Sequence, residues 1–212
     1  MSRFLSFLFS IIAAIAVSGD AYAETTLEKQ VIKEILQSTS QEVLLAQPPK
    51  DWQLIYQFNN METRLSDYIP PTEDESDWQT KLSFESHRQL KDLNPISAIM
   101  SEIKNRAEIC THLNHFNLFS GFENEYPTSV RLIMCGENAY TSRGEVTLTK
   151  AIQGRDYLYL IHLLKKVPVF EADKADFSTD EITEWSTYLK LISLCDKEDS
   201  THPCLPKKSE NQ

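Results

Sequence analysis

Glycine is nearly missing from this chain. Five occur in 212 residues, about a third of the ~7% usual in globular proteins. Gly19 lies in an apolar leader, which leaves Gly121, Gly136, Gly144 and Gly154 within one short stretch. No GxGxxG, GxxxxGK[ST] or GxSxG sequence can be assembled from them, so nucleotide-cradling loops and the nucleophile elbow of many hydrolases are excluded. Each of the four stands at or beside the end of a predicted strand. That position reads as turn and bulge chemistry, where only glycine adopts φ > 0 without cost. The expectation is an antiparallel meander that uses glycine where strands reverse.

The leader has the features of an export signal. Arg3 precedes an apolar run from Phe4 to Val17, and Ala21-Tyr22-Ala23 supplies small residues where signal peptidase reads. The run of about 14 residues is short of the ~20 that a spanning helix needs. Residues 1–23 are therefore expected to be a signal peptide, cleaved before Glu24, with no membrane span in the mature chain. The protein is expected in the periplasm or secreted. The mature chain keeps a net charge of −10, which repels polyanions and argues against a nucleic-acid partner.

Four cysteines, Cys110, Cys135, Cys195 and Cys204, all follow the leader. An even count in an oxidising compartment implies two disulfides, with three possible connectivities. Nearest-neighbour pairing would join Cys110 to Cys135 and Cys195 to Cys204. It would tie a helix end to a strand in the first case and the tail to a helix in the second. Metal binding is the competing use of Cys110, His112 and His115. On a strand, residues 112 and 115 point to opposite faces, and no Cys-x-x-Cys exists, so neither metal nor cofactor is expected.

Periodicity gives the elements. Leu27, Val31, Ile32, Ile35, Leu36, Val43 and Leu44 suit an amphipathic helix over 24–47, ended by Pro48-Pro49. Trp52, Leu54, Tyr56 and Phe58 alternate as a strand, 61–69 returns, and Trp78, Thr80, Leu82 and Phe84 form one face of a third strand. Asn94-Pro95 opens a helix that ends near Cys110. Four strands follow at about 114–122, 129–136, 144–153 and 156–165. The last is apolar on both faces and is expected to be central. Ser178 to Glu181 is a capping box opening the final helix, which Cys195 closes. Residues 205–212 are expected to be a disordered tail. Strand runs separated from helices argue one α+β domain over 50–204, with a largely antiparallel sheet of about six or seven strands and helices packed on it.

One ordered set of residues is more specific than any of its pieces: Trp52, Tyr68-Ile69-Pro70, Trp78, Cys110, Cys135, Lys150-Ala-Ile-Gln-Gly154, Trp185, Cys195-Asp196 and His202-Pro203-Cys204. In this order, over about residues 52–204, they resemble a group of exported, uncharacterised proteobacterial proteins with a two-disulfide α+β domain. The resemblance implies the nearest-neighbour disulfides and implies no activity for any residue. The strand–helix–strand order is also similar to the PsbP-like sandwich, a fold known for assembly and binding roles. That similarity is an analogy of fold alone.

Candidates for chemistry are few. The five histidines, His87, His112, His115, His162 and His202, lack a Ser or Cys context that would mark a nucleophile and its base. Glu73, Asp74, Glu75 and Asp77 form an acidic loop without the spacing of a calcium loop. Lys150, Gln153, Gly154 and Arg155 lie at a predicted hairpin end, the first place to look for a recognition site. These observations point to an exported protein that binds an unknown protein or small ligand without catalysis. The alternatives are a small secreted hydrolase, built on a histidine and a carboxylate, or an effector acting on a host or competitor protein.

Overall fold

The computed structural model describes residues 41–171, 174, 175 and 177–204. The expected signal peptide, tail and 24–40 portion of the first helix lie outside them. Among the described residues the order is β1 (Glu42–Leu45), β2 (Gln53–Asn59), β3 (Thr63–Ile69), β4 (Thr80–His87), α1 (Pro95–Arg106), β5 (Cys110–Glu123), β6 (Tyr126–Asn138), β7 (Arg143–Gln153), β8 (Leu158–Val167), α2 (Thr179–Leu191) and β9 (Ser193–Asp196). Seven strands make one antiparallel sheet in the order β2-β3-β4-β8-β7-β6-β5. The doubly apolar β8 is the fourth of the seven, covered on both faces as its composition requires. The fold is α+β. None of the described helices is long and apolar enough to cross a membrane.

Period-two alternation divides the core between the two faces of the sheet. Val146, Leu148 and Ile152 of β7 face α2 and join Leu132, Ile161, Leu189 and Leu194 in the larger cluster. Ala151 faces α1 and joins Ile99, Ile103 and Ile133 in the smaller one. Both helices start where their caps dictate. Asn94 Oδ1 accepts the Ile96 N–H at 2.9 Å with Pro95 at the first helical position. Ser178 and Glu181 exchange side-chain and backbone hydrogen bonds in a capping box.

Two segments depart from the sequence reading. Residues 42–45, assigned above to a helix, form a strand that pairs with β9, Val43 opposite Cys195. The final helix stops at Leu191, so Cys195 lies in that strand and not at a helix end. Both disulfides are the nearest-neighbour pairs, Cys110–Cys135 and Cys195–Cys204. The first joins adjacent strands β5 and β6, since α1 has already ended at Arg106.

The glycines are also used differently. None of the four described glycines has positive φ; among the described residues the left-handed positions are Asp51, His112, Asn124, Glu125 and Ser142. Asn124 and Glu125 together form the two-residue β5–β6 turn, the geometry that matches strand twist. Glycine serves close approach instead. A Cβ on Gly136 would lie 2.5 Å from the Phe170 carbonyl oxygen and 2.7 Å from that of Thr111. The chain after β8 crosses there, and the Phe170 N–H donates to the Gly136 carbonyl.

Candidate functional site

The four residues of the expected recognition hairpin do not act together. Lys150 is fully buried on the α2 face of β7. Its ammonium donates to Glu123 Oε2 at 2.5 Å, to the Leu189 carbonyl at 2.9 Å and to the Ile192 carbonyl at 2.7 Å. Those two carbonyls end α2, where the helix dipole is negative, so the cation caps the helix and gains the pairing a buried charge requires. Gln153 donates to the Lys91 carbonyl. Gly154 is closed in by Glu42 Oε2, 2.7 Å from where its Cβ would stand. Gln153 is half-buried and Arg155 is the most exposed of the four; the Arg155 guanidinium pairs with Asp196 and, at 3.8 Å, with Asp199. The hairpin end is a structural junction.

That junction gathers residues far apart in sequence. Glu42 of β1 accepts the N–H groups of Arg155 and Asp156, clasping the β7–β8 turn. Burial pushes its carboxyl up in spite of those two donors. Asn124 donates to the carbonyls of Leu194 and Pro203, which pins the β5–β6 turn to the loop closed by Cys195–Cys204. His202 stacks on Tyr126 with ring centroids 4.1 Å apart and hydrogen-bonds through Nδ1 to the Asn124 carbonyl. Burial, with the charges of Glu42 and Asp196 nearby, pushes the Tyr126 phenol up.

The histidines divide. His112, His115 and His202 lie apart, whereas His87 and His162 converge on Glu85. His87 Nε2 is 2.9 Å from Glu85 Oε2, and His162 Nε2 is 3.7 Å from Oε1. His162 Nδ1 meets Thr149 Oγ1 at 3.0 Å and Glu102 Oε2 at 3.8 Å. Hydroxyl, imidazole and carboxylate thus follow one another in the order a hydrolase would use. Thr149, however, has no exposed surface at all, so no substrate carbonyl reaches its oxygen. Arg106 occupies the remaining carboxylate, bonding Glu102 through Nε and Nη2 and Thr147 through Nη1. The cluster fastens α1 to the sheet. Burial alone would raise Glu85. The His87 hydrogen bond and the field of His162 overcome it and hold the carboxyl below its usual range. The acidic loop is likewise spent locally: Glu73 Oε2 accepts the N–H groups of Gln79 and Thr80.

The site that periodicity did not single out is the outer edge of the sheet. β5 is 14 residues long and pairs only with β6 among the described strands. From Cys110 to Phe122 it contains no Lys, Arg, Asp, Glu or Pro, the residues by which proteins ordinarily blunt exposed edges. Large apolar side chains stand exposed along it: Phe116 at 48%, Leu118 at 43%, Phe119 at 37% and Phe122 at 68%. Between this strand and α2 opens a cavity of about 570 Å³. Leu118, Phe119, Phe122 and Leu189 line it, together with the paired Glu123 and Lys150 and with Lys190. A bulge between Asn117 and Phe119 re-aims the strand beside this groove. An edge strand uncharged from Cys110 to Phe122, beside a groove with aromatic walls, suits the capture of an extended polypeptide by strand addition.

No protein-family model matches the chain, and no curated protein matches it by sequence. Solved structures give partial likenesses. A protein of unknown function from Pseudomonas aeruginosa is 8% identical, covering 70% of this chain and 91% of its own, with a TM-score of 0.42. LpqN of Mycobacterium tuberculosis, described as involved in cell envelope biogenesis, is 10% identical over 76% and 86% at 0.39. The Saccharomyces cerevisiae Ran-binding protein Mog1p is 12% identical over 71% and 84% at 0.38.

Proposed function

We propose that this chain is an exported, non-enzymatic binding or accessory protein that holds an extended polypeptide segment along β5. The uncharged, aromatic, 14-residue edge beside an apolar groove carries this reading. A monomeric protein gains nothing in solubility from such an edge, and exposed apolar patches of this kind mark interaction sites. Two disulfides suit a compartment outside the reducing cytoplasm, which agrees with a signal peptide over residues 1–23. The resemblance to exported proteobacterial proteins, and the PsbP-like order of elements, belong to the same reading.

Site-specific photocrosslinking in the native envelope tests it. A benzophenone side chain replacing Phe122 is expected to give crosslinks to polypeptide, while one replacing Met100, exposed on α1, gives none. Crosslinks from α1 and none from β5 would sink the proposal.

A further inference from the structure

We infer that the segment added to β5 is β5 of a second copy, so that two sheets join across a twofold axis. This rests on the strand-addition reading and names its partner. An antiparallel edge meets its own copy around a twofold axis with each open N–H facing an open carbonyl, and the contact closes as a dimer. Charge selects the same partner. With a formal net charge of −10, two copies repel wherever acidic surfaces meet. β5 offers a strip free of that penalty, and the carboxylate at its end, Glu123, is already bound to Lys150.

Size decides between the two edges. At 3.4 Å per residue the strand is about 48 Å long, and a sheet edge is about 10 Å thick, so pairing would bury on the order of 1,000 Å² in all. That reaches the threshold of about 1,000 Å² for a specific interface. The opposite edge, β2, also exposes Leu54, Tyr56 and Phe58. Each edge strand carries one bulge, between Leu54 and Tyr56 in β2 and between Asn117 and Phe119 in β5, but β2 has only seven residues against fourteen, which gives about half the area. Charged Lys50, Asp51 and Glu62 flank it. Pairing β2 with β5 would also leave free edges at both ends and grow filaments rather than dimers.

Sedimentation of residues 24–212 tests the inference, with near-ultraviolet circular dichroism confirming the fold of each variant. The wild-type chain is expected to sediment as a dimer at about 10 μM. Leu118→Lys and, separately, Phe116→Lys set like charges across the axis and should raise the dissociation constant by about 100-fold or more, the scale of like-charge juxtaposition at an interface. Tyr56→Lys on β2 should leave the dimer intact. A wild-type chain still monomeric at about 100 μM overturns the inference, as does a dimer that survives both β5 variants or one broken by Tyr56→Lys. If the chain is monomeric yet Phe122 crosslinks to a different protein, the strand-addition reading stands and the second copy does not.

Discussion

Replacing Lys150 with methionine takes one ammonium away from Glu123 and the carbonyls of Leu189 and Ile192, and its cost follows from what each of these acceptors keeps or can find instead. The Ile192 carbonyl, at the buried end of α2, loses the ammonium at about 1–3 kcal/mol for a group left unsatisfied, whereas the Leu189 carbonyl keeps the Ile192 N–H at 3.3 Å and loses one of two donors. Glu123 keeps a quarter of its side chain exposed, so water recovers part of its loss, and its share falls well below that of a sealed ion pair. The methionine side chain restores most of the apolar contact of the lysine stem. The sum is about 2–4 kcal/mol, overlapping the range for breaking a buried pair. For a domain of this size that lowers Tm by roughly 4–16 °C. Urea unfolding of the wild type, of Lys150→Met, of Glu123→Gln and of the double variant measures it. The double variant should be less damaged than the two single losses added together, because both remove one interaction. A Lys150→Met variant within about 1 kcal/mol of wild type would refute the reasoning.

Three further outcomes can be checked by the same unfolding measurements. Gly136→Ala should cost about 1–3 kcal/mol because its Cβ meets two backbone oxygens, whereas Gly121→Ala meets only the ring of Phe119, a side chain free to move, and should cost well under 1 kcal/mol. The lowered carboxyl of Glu85 contributes stability that is present above the unfolded value near 4.5 and is lost as pH falls through the lower folded value; Glu85→Gln should therefore flatten the acid limb of the stability profile below about pH 5. At the left-handed Asn124, alanine should cost more than glycine, since both lose the hydrogen bonds to Leu194 and Pro203 but only alanine strains the backbone.

Local chemistry made most of the fold legible. Period-two alternation located β2 to β4 and β5 to β8, and Asn94-Pro95 and the Ser178 capping box located both helices, because each signal lies within a few residues of the element it sets. β1 escaped because Glu42-Val-Leu-Leu45 does not alternate, and its partner Ser193–Asp196 is some 150 residues away. The glycines were found at their strands but misread in purpose. Crowding by Phe170 or Glu42 is a tertiary fact, and the turn conformations fell to Asn124, Glu125 and Ser142. Lys150 did carry a readable signal. It continues the row Val146, Leu148, Lys150, Ile152, whose other members are all core residues, and that pattern assigns it inward. The edge was hidden for a different reason: sequence shows that residues 114–122 form a strand, while strand order alone shows that nothing described pairs with its outer side.

Residue-resolved amide exchange along β5 tests the strand-addition account most directly. In the fraction of its source cells or medium that contains the protein, the outward amides of residues 113–123 should exchange at least about tenfold more slowly than in the purified chain diluted until monomeric, while those of β2 keep the same rates in both. Equal exchange along β5 in the two states would contradict it.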